Sequence, residues 1–441
     1  MASVAFSESV FYNRLMDLLI QNAHILDPLS GLDLISDLYL SDGLIRSVGS
    51  FPDPLPENTQ KINANGLIAA PGLIDIHVHF RDPGFPEKET VKSGAAAAVA
   101  GGFTTVVMMA NTKPAADSVE VLSYLAERIG EVNRTIPLHI LRTAAVTKGL
   151  GGLELNDLKA LSDAGAAGFT DDGIPVMDTG LLAEAFLLAS SLKKPVSLHE
   201  EDPRLITENG INAGTVSAKM GLTGSPREAE ISMIRRDIAI AARTGACVNI
   251  QHISTKEGVE LIREARKSNP DIHAEATPHH FSLTEDAVWV HGTLAKMNPP
   301  LRTEEDRLAV IEGLRDGTIE SIATDHAPHT AAEKAKPFAK APSGIIGLET
   351  ALPLGITYLV KAGHLSMMQL LARMSAGPAA LYGIETGIRP GAPADLVLFD
   401  PDEEQRITSF YSASSNSPFL GETLTGVVKA TVCGGKIAYR A

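Results

Sequence analysis

The sequence predicts an α/β fold: a (β/α)8 barrel of the TIM type, with a small β-sandwich formed by the N- and C-terminal segments. Three observations lead to this prediction. Short apolar runs typical of buried strands alternate with helical segments through the middle of the 441-residue chain. Eight such runs occur, which is the number that closes a parallel barrel. The two ends instead carry short runs separated by turn residues, which is typical of β structure.

The terminal segments hold too few strands to form a stable core separately. We therefore expect them to pair with each other and form one discontinuous domain. This predicts a sandwich from residues 1–70 and 386–441, with the barrel between them at 71–385. The terminal strands are expected at residues 18–25, 37–40, 44–48, 394–399, 426–432 and 436–439.

The central segment repeats a strand and a helix. Helices are expected over about residues 90–100 and after Ser118, and apolar spacings of three and four mark later ones, as at Leu182, Phe186 and Ala189. The barrel strands are expected at residues 73–79, 104–109, 138–142, 168–170, 196–199, 248–252, 272–276 and 319–324.

Composition and charge exclude several classes of function. The net charge of −15 disfavours binding to nucleic acids or anionic membranes. Cys247 and Cys433 are too few for a disulfide framework and fit a reducing compartment. The first 17 residues show no secretory leader, and no apolar run reaches the roughly 18 residues of a membrane span. We expect a cytoplasmic protein.

The segment Asp-Ile-His-Val-His at the end of the first barrel strand is the strongest local signal. His77 and His79 are two residues apart, so both side chains face the same side of a strand. Two imidazoles in this arrangement can bind one divalent metal ion. An isolated pair of this kind would often be structural, because short motifs match by chance.

Four more polar residues stand where later strands end. Asp172 follows the fourth strand, His199 and His252 end the fifth and sixth, and Asp325 ends the eighth. The carboxyl ends of barrel strands share one rim, where the active sites of such barrels lie. The sequence therefore predicts a metal centre at this rim, with Asp172 able to bridge two ions.

Asp325 follows an apolar strand, where an unpaired carboxylate would be costly. A divalent metal lowers the pKa of bound water towards about 7 and polarises a carbonyl group. Asp325 is then expected to act as the general base that takes the water proton and passes it to the leaving nitrogen. The pattern favours hydrolysis of an amide.

Several longer motifs carry a family resemblance. PGLIDIHVHFRDPG, GFTDDG, LHEED, QHIST, KMNPPLR and TDHAPH occur in this order. Together they resemble the dihydroorotases of the longer, class I type, over residues 18–439. The resemblance implies a hydrolase of cyclic amide C–N bonds that interconverts dihydroorotate and N-carbamoyl-aspartate in pyrimidine biosynthesis. It also implies Zn²⁺, one or two ions per subunit, although histidine and aspartate also accept other divalent metals.

The resemblance assigns roles to particular residues. It prefers Asp172 to Asp171 as a metal ligand. Arg81 is suited to the substrate carboxylate, because a guanidinium group binds carboxylates through two hydrogen bonds. The metal ligands it implies are His77, His79, Asp172, His199, His252 and Asp325. The substrate contacts it implies are His79, Arg81, Asn111, Asn298, His329, Ser343 and Gly344.

Three positions depart from the family pattern. Ala110 stands where the family usually has proline, Glu200 where alanine is commoner, and Ser343 where phenylalanine is frequent. None is a predicted metal ligand, so these differences bear on substrate fit more than on catalysis.

Two alternatives stay open at this point. Hydantoinases and allantoinases bridge their metals with a carboxylated lysine on the fourth strand, where this chain has none, although Lys148 follows the third strand. The chain could also be a catalytically silent partner of aspartate transcarbamoylase, a protein with which class I members form complexes. The full ligand set argues against silence but not against the partnership. A homodimer is the default expectation.

Other polar residues are interpreted as structural. His24, His139, His273, His291 and His364 belong to no recognisable cluster, and the charged helix over 227–237 is interpreted as a solvent-facing surface. The polar, lysine-rich segment 330–342 is expected to form a mobile loop over the site.

Overall fold

A computed structural model describes residues 17–441 of the chain. The segment examined for a secretory leader lies, except for its last residue, outside the described residues. Within them the strands are β1 (Leu18–Asp27), β2 (Leu32–Ser41), β3 (Leu44–Val48), β4 (Gln60–Asn63), β5 (Ile68–Pro71), β6 (Leu73–Val78), β7 (Phe103–Met108), β8 (His139–Ala144), β9 (Gly168–Thr170), β10 (Val196–Leu198), β11 (Val248–Ile250), β12 (Ile272–Ala276), β13 (Ser321–Ile322), β14 (Leu396–Arg406), β15 (Thr423–Cys433) and β16 (Lys436–Arg440).

Helices connect the central strands and cover the barrel. Short 3₁₀ helices lie at Lys148–Leu150, Gly292–Ala295 and Phe338–Lys340, and a π-helical turn lies at Ile356–Val360. The α-helices are α1 (Val91–Ala100), α2 (Val119–Val132), α3 (Leu158–Asp163), α4 (Thr179–Ser191), α5 (Thr215–Lys219), α6 (Arg227–Thr244), α7 (Lys256–Arg266), α8 (Pro278–Ser282), α9 (Ala287–His291), α10 (Glu304–Asp316), α11 (Ala331–Lys334), α12 (Ala351–Gly355), α13 (Met367–Met374) and α14 (Ala376–Tyr382).

The central sheet is a parallel barrel. Strands β6 to β13 pair side by side in chain order. A parallel bridge between Val78 and His326 joins the two edges, and the His79 amide donates to the His326 carbonyl at 2.9 Å. The predicted fold class is confirmed. All eight predicted barrel strands exist; β9 and β12 have the predicted bounds, and the bounds of the others differ from the prediction by at most two residues.

Small residues allow the first helix to lie close to the barrel. Every residue of β6 and β7 is buried, so both strands need cover on both faces. On α1, a Cβ atom at Gly94 would lie 2.4 Å from the Phe80 ring, so only glycine fits there. Thr90 caps this helix by accepting a hydrogen bond from the Ser93 amide, which fixes where the helix begins.

The terminal segments form a second, mostly antiparallel sheet of eight strands. Its order is β16-β15-β14-β5-β1-β2-β3, with β4 paired to β1 in parallel. The antiparallel pairing of β14 with β5 joins the two ends of the chain, as predicted. The two four-residue strands β4 and β5 were not among the predicted strands. The domain boundaries after residues 70 and 385 stay predictions.

The prediction that the charged helix α6 faces solvent is right for Glu228 and Arg235, which are exposed, and wrong for two of its carboxylates. Glu230 and Asp237 are both 1% exposed. Glu230 accepts hydrogen bonds from the backbone amides of Ser254 and Thr255, each at 3.0 Å, so its charge is held by the loop after β11. Along residues 17–441, none of the helices is long and apolar enough to span a bilayer.

Candidate metal and substrate site

The six residues predicted as metal ligands meet at the rim where the barrel strands end. They come from five different strand ends, and each side chain is buried or nearly so. The potential ligand atoms of His77, His79 and Asp325 lie within 4.8 Å of one another, and so do those of His77, Asp172 and His252. The barrel therefore brings together residues that lie almost 250 positions apart in the chain, such as His77 and Asp325.

The two histidines after β6 face the same two carboxylates. His77 Nε2 lies 3.5 Å from Asp172 Oδ1 and 3.5 Å from Asp325 Oδ1. His79 Nε2 lies 3.0 Å from Asp325 Oδ1 and 3.5 Å from Asp172 Oδ2. Each carboxylate thus contacts both imidazoles. This agrees with the prediction that His77 and His79, two residues apart on a strand, face the same side.

His199 and His252 complete the cluster on the other side of Asp172. His199 Nδ1 lies 3.0 Å from His252 Nε2 and 3.7 Å from Asp172 Oδ1. The neighbouring Asp171 points elsewhere, because its carboxylate accepts hydrogen bonds from the Thr147 amide and hydroxyl. The structure therefore brings Asp172, and not Asp171, into the cluster.

A buried carboxylate that the sequence analysis missed orients His77. Glu275 on β12 has its Oε1 atom 2.6 Å from His77 Nδ1, and both side chains are fully buried. Its Oε2 atom accepts a hydrogen bond from Asn249 at 2.9 Å. Such a partner fixes the ring so that Nε2 faces a metal, and it raises the basicity of the imidazole. The signal in the sequence was a glutamate within a buried barrel strand whose only other polar residue is His273.

The electrostatics of the cluster favour a positive charge at its centre. Burial opposes protonation of His77, but the surrounding carboxylates, Glu275 foremost, hold its pKa well above the ordinary value. Burial also opposes ionisation of Asp172, yet the neighbouring imidazoles, His77 foremost, hold its pKa well below the usual range. Burial and the proximity of His199 lower the pKa of His252, which keeps its ring neutral.

These residues fit a divalent metal. His77 Nε2 is a buried nitrogen without a hydrogen-bond partner among the described residues, and it faces two carboxylates at 3.5 Å. A buried polar atom without a partner is costly, and a metal ion would satisfy it. Neutral imidazoles together with carboxylates form a donor set that zinc, manganese, cobalt and iron all accept.

A cavity of about 140 Å³ opens beside the cluster. It is lined by most of the residues predicted to contact substrate, and by five of the six predicted metal ligands. His77 and His329 are outside this lining, but His77 contacts Asp172 and His329 contacts Ser343, both of which belong to it. The lining residues are His79, Arg81, Asn111, Asp172, Gly173, His199, His252, Asn298, Asp325, Ala327, Ser343 and Gly344.

Hydrogen bonds fix the polar groups of the cavity wall. The Asn111 amide donates to Asp172 Oδ2 at 3.0 Å, and Asn111 Oδ1 lies 2.8 Å from His79 Nδ1. Ser343 Oγ donates to Asn298 Oδ1 at 3.0 Å. His329 Nε2 lies 2.9 Å from the Ser343 carbonyl oxygen, so it supports this wall.

Two of the departures from the family pattern are explained by their contacts. The Ala110 carbonyl accepts hydrogen bonds from the Thr112 and Ala116 amides, each at 2.9 Å, so a turn presents Asn111 without a proline. Glu200 is 1% exposed and is directed towards Arg236 and Asp237, away from the cavity. It therefore adds no carboxylate to the cavity wall.

A chain of hydrogen bonds holds the backbone on both sides of Asp325. The Thr324 amide and hydroxyl donate to the buried Asp75 carboxylate. His326 Nε2 lies 3.2 Å from Glu89 Oε2. Asp325 itself has a φ of +47°, in the left-handed region that costs a non-glycine residue energy. These anchors keep the strained residue directed into the cavity.

The segment between β14 and β15 binds the loops that follow β13 and β6. Asn416 Oδ1 accepts a hydrogen bond from the His329 amide at 3.0 Å. The Asn416 amide donates to the Ala327 carbonyl at 3.0 Å and to the Gly344 carbonyl at 3.2 Å. Ser412 donates to Glu89. Residues after the barrel therefore hold the loops that line the cavity.

The segment 330–342 packs over a second, larger cavity. That cavity measures about 350 Å³ and shares Gly173, His199 and Asn298 with the first. Phe338 of the segment contributes to its lining, and the Lys334 ammonium donates to the Pro342 and Gly344 carbonyls, each at 2.9 Å. The segment thus lines part of a cavity that adjoins the cluster, and its role as a mobile loop over the site stays a prediction.

Comparisons with known proteins connect this geometry to a family. A family model described as dihydro-orotase-like matches residues 66–258. The chain is 51% identical to a dihydroorotase of Clostridioides difficile over 96% of this chain and 100% of that protein. It is 46% identical to a dihydroorotase of Clostridium acetobutylicum over 96% and 99%. A dihydroorotase of Lactococcus lactis is 47% identical over 97% and 100%.

Solved structures agree on the fold. An L-hydantoinase from Arthrobacter aurescens has a TM-score of 0.85 at 24% identity, covering 96% of both chains. A D-hydantoinase from a Thermus species has a TM-score of 0.82 at 25% identity, covering 96% of this chain and 95% of that one. The barrel with its terminal sheet is thus an architecture shared with these hydantoinases.

Proposed function

Because the chain belongs to the dihydroorotase family, we propose that the cavity beside the six-residue cluster is where it hydrolyses and closes the ring of dihydroorotate. The reaction converts the cyclic amide to N-carbamoyl-aspartate and back, as a step of pyrimidine biosynthesis. The single observation that carries the assignment of the site is the convergence of four imidazoles and two carboxylates at one rim.

A hydantoinase-like centre is not favoured. Such a centre would need a lysine that reaches the metals, and among residues 17–441 no lysine lines the cavity. Lys148 is the lysine after the third barrel strand, but its side chain is 57% exposed and pairs with Glu154. The likeness to hydantoinases therefore extends to the fold and the class of reaction.

The proposed metal ligands are the six clustered residues, and Zn²⁺ is the proposed ion, one or two per subunit. When bound, the metal would lower the pKa of water towards about 7 and polarise the amide carbonyl. Asp172 stands between His77 and His199, which suits a carboxylate shared by two positions.

Asp325 is the proposed general base. Its carboxylate lines the cavity, and its Oδ1 atom lies 3.0 Å from His79 Nε2, which fixes its orientation. In the hydrolytic direction it takes a proton from the attacking water and gives it to the ring nitrogen as the C–N bond breaks. In the reverse direction it returns the same proton, so both directions use one group.

The remaining cavity residues are proposed to hold the substrate. Arg81 lines the cavity and supplies a local positive charge in a chain of net charge −15, as an anionic substrate requires. Asn111 and Asn298 present amide groups, and the backbone at Ser343 and Gly344 adds further polar atoms. A Cβ atom at Gly344 would lie 2.7 Å from the Ala327 side chain, so a larger residue there would distort the wall.

The zinc-loaded protein is expected to turn over dihydroorotate with a kcat/KM about 10- to 100-fold above that for hydantoin, because hydantoin lacks the carboxylate that Arg81 would bind. Formation of N-carbamoyl-aspartate measures the first reaction and ring opening of hydantoin the second. Equal or faster turnover of hydantoin would contradict the proposed substrate. No turnover of either compound would support the silent partner.

Arg81→Gln is expected to raise KM for dihydroorotate about 10- to 100-fold with a smaller change in kcat, since a charged hydrogen bond to the substrate is lost. Hydantoin turnover should hardly change. Lys88→Gln is the matched control, because Lys88 lies outside the cavity and pairs with Glu333. If Arg81→Gln impaired both substrates equally, the residue would have a structural role only.

We also propose a cytoplasmic homodimer that associates with an aspartate transcarbamoylase. The two free cysteines support a reducing compartment such as the cytoplasm. The complexes that class I members form support the association with a transcarbamoylase. Sedimentation of the purified protein, alone and with a transcarbamoylase, measures the oligomeric state and the association.

A further inference from the structure

Three potential metal ligands meet at the opposite end of the barrel from the catalytic rim. His139 is the first residue of β8, Asp395 precedes β14, and Cys433 is the last residue of β15. One potential ligand atom of each lies within 4.8 Å of the other two. His139 Nε2 is 3.0 Å from Asp395 Oδ2. The prediction that His139 belongs to no cluster is wrong. Its partner Asp395 lies 256 residues further along the chain, so the sequence did not indicate their contact.

We propose that His139, Asp395 and Cys433 form a second metal site that binds Zn²⁺ or a similar transition-metal ion, separate from the catalytic centre. A thiolate, an imidazole and a carboxylate are all ligands of zinc, and the thiolate disfavours magnesium and calcium. Three protein ligands leave a fourth position for water. Nothing in the catalytic cluster resembles this donor set, since that cluster contains no sulfur.

The backbone fixes the position of Asp395 relative to Cys433. Gly434 and Gly435, with φ values of +56° and +75°, form the two-residue turn between β15 and β16. The Gly434 amide donates to Asp395 Oδ1 at 2.6 Å, which ties that carboxylate to the turn that follows Cys433. The other Asp395 oxygen remains directed at His139. This preorganisation reduces the cost of assembling a metal site.

Exposure distinguishes a metal site from a catalytic thiol. The Cys433 residue is 2% exposed, so a substrate carbonyl could not reach its sulfur. The His139 side chain is 51% exposed and offers an ion a path from solvent. The Cys433 thiol donates a hydrogen bond to the Thr104 carbonyl oxygen at 3.6 Å.

Metal binding at this site must displace protons. The hydrogen bond to Asp395 raises the pKa of His139 to about 10, and burial raises the pKa of the Cys433 thiol. A bound ion would replace the imidazole and thiol protons and remove the unfavourable burial of a bare thiolate. Loading therefore releases protons to the solvent.

The second cysteine supplies a matched comparison. Cys247 contacts His273, and His273 Nδ1 contacts the Glu320 carboxylate, so the residue types are nearly the same. Here, however, Arg266 already pairs with Glu320. The guanidinium group occupies the carboxylate and adds a positive charge, which opposes a metal ion. We expect no metal at this second cluster.

Cobalt loading of the purified full-length chain tests the site. Cobalt bound to a thiolate gives a near-ultraviolet charge-transfer band, which histidine and aspartate ligands do not give. We expect this band in the wild type and in Cys247→Ser, and its absence in Cys433→Ser. His139→Ala, at an exposed position, should weaken or abolish the band without disturbing the core. Zinc content after dialysis should fall by one equivalent per chain in Cys433→Ser and His139→Ala.

Turnover of dihydroorotate should be unchanged in all three variants, because these residues lie at the far end of the barrel from the catalytic cavity. Absence of the thiolate band in the wild type would overturn the proposal, and so would unchanged zinc content in both Cys433→Ser and His139→Ala. A band lost in Cys247→Ser but retained in Cys433→Ser would also overturn it. These readouts do not depend on the identity of the substrate.

Discussion

Replacing Asp325 by asparagine is expected to lower kcat for dihydroorotate by about 10²- to 10⁴-fold, the range usual for loss of a general acid or base. Asparagine has almost the same shape but cannot take the proton from water. The carboxylate stands at the mouth of the cluster, 3.0 Å from His79 Nε2, and the strained backbone at φ +47° presents it to the cavity. Steady-state kinetics in both reaction directions measure the effect.

Asp171→Asn is the matched control for this prediction. It makes the same chemical change one residue from the cluster, but the Asp171 side chain is engaged by Thr147 and is not part of the cavity wall. This variant should retain most of its turnover. The metal content of Asp325→Asn must be measured as well, since near-normal turnover with normal metal content would refute the role of base.

Removal of divalent metal by a chelator is expected to reduce turnover by roughly 10³-fold or more, because several kcal/mol of transition-state stabilisation would be lost. Adding Zn²⁺ should restore it, and Mn²⁺ or Co²⁺ should restore part of it, since the donor set accepts these ions. Metal content and turnover are measured on the same sample. Full activity in a protein shown to contain no metal would exclude metal-dependent catalysis at this cluster.

The barrel and its metal cluster could be predicted because both depend on short-range patterns. Buried parallel strands are nearly continuous apolar runs, so the polar residue that ends each run is conspicuous. His77, His199, His252 and Asp325 all stand at such ends. Once a barrel is assumed, its closure brings these ends together without further information.

Short strands and long-range partners could not be predicted in the same way. β4 and β5 have four residues each, too few to show a period, and their pairing with β1 depends on the tertiary fold. Glu275 and Glu230 are charged residues within a strand and a helix, where solvent exposure is the ordinary expectation. Only the structure reveals the hydrogen bonds that make their burial favourable.

Backbone strain also has no signature in the side-chain pattern. Arg81, His252 and Asp325 have φ values of +56°, +36° and +47°, although none is a glycine. All three line the catalytic cavity. Such conformations persist only where surrounding contacts enforce them, and they concentrate at functional sites. The sequence identified these residues by their chemistry and gave no indication of their conformation.

The contacts of Asn416 mean that the catalytic unit cannot be excised as a barrel. A fragment ending at residue 385 would leave the His329 amide and the Ala327 and Gly344 carbonyls without their shared partner. Glu89 would at the same time lose Ser412. The terminal sheet therefore cannot be exchanged independently of the barrel. Replacing it with the sheet of a relative would alter the active-site wall unless the segment between β14 and β15, which holds Ser412 and Asn416, were kept.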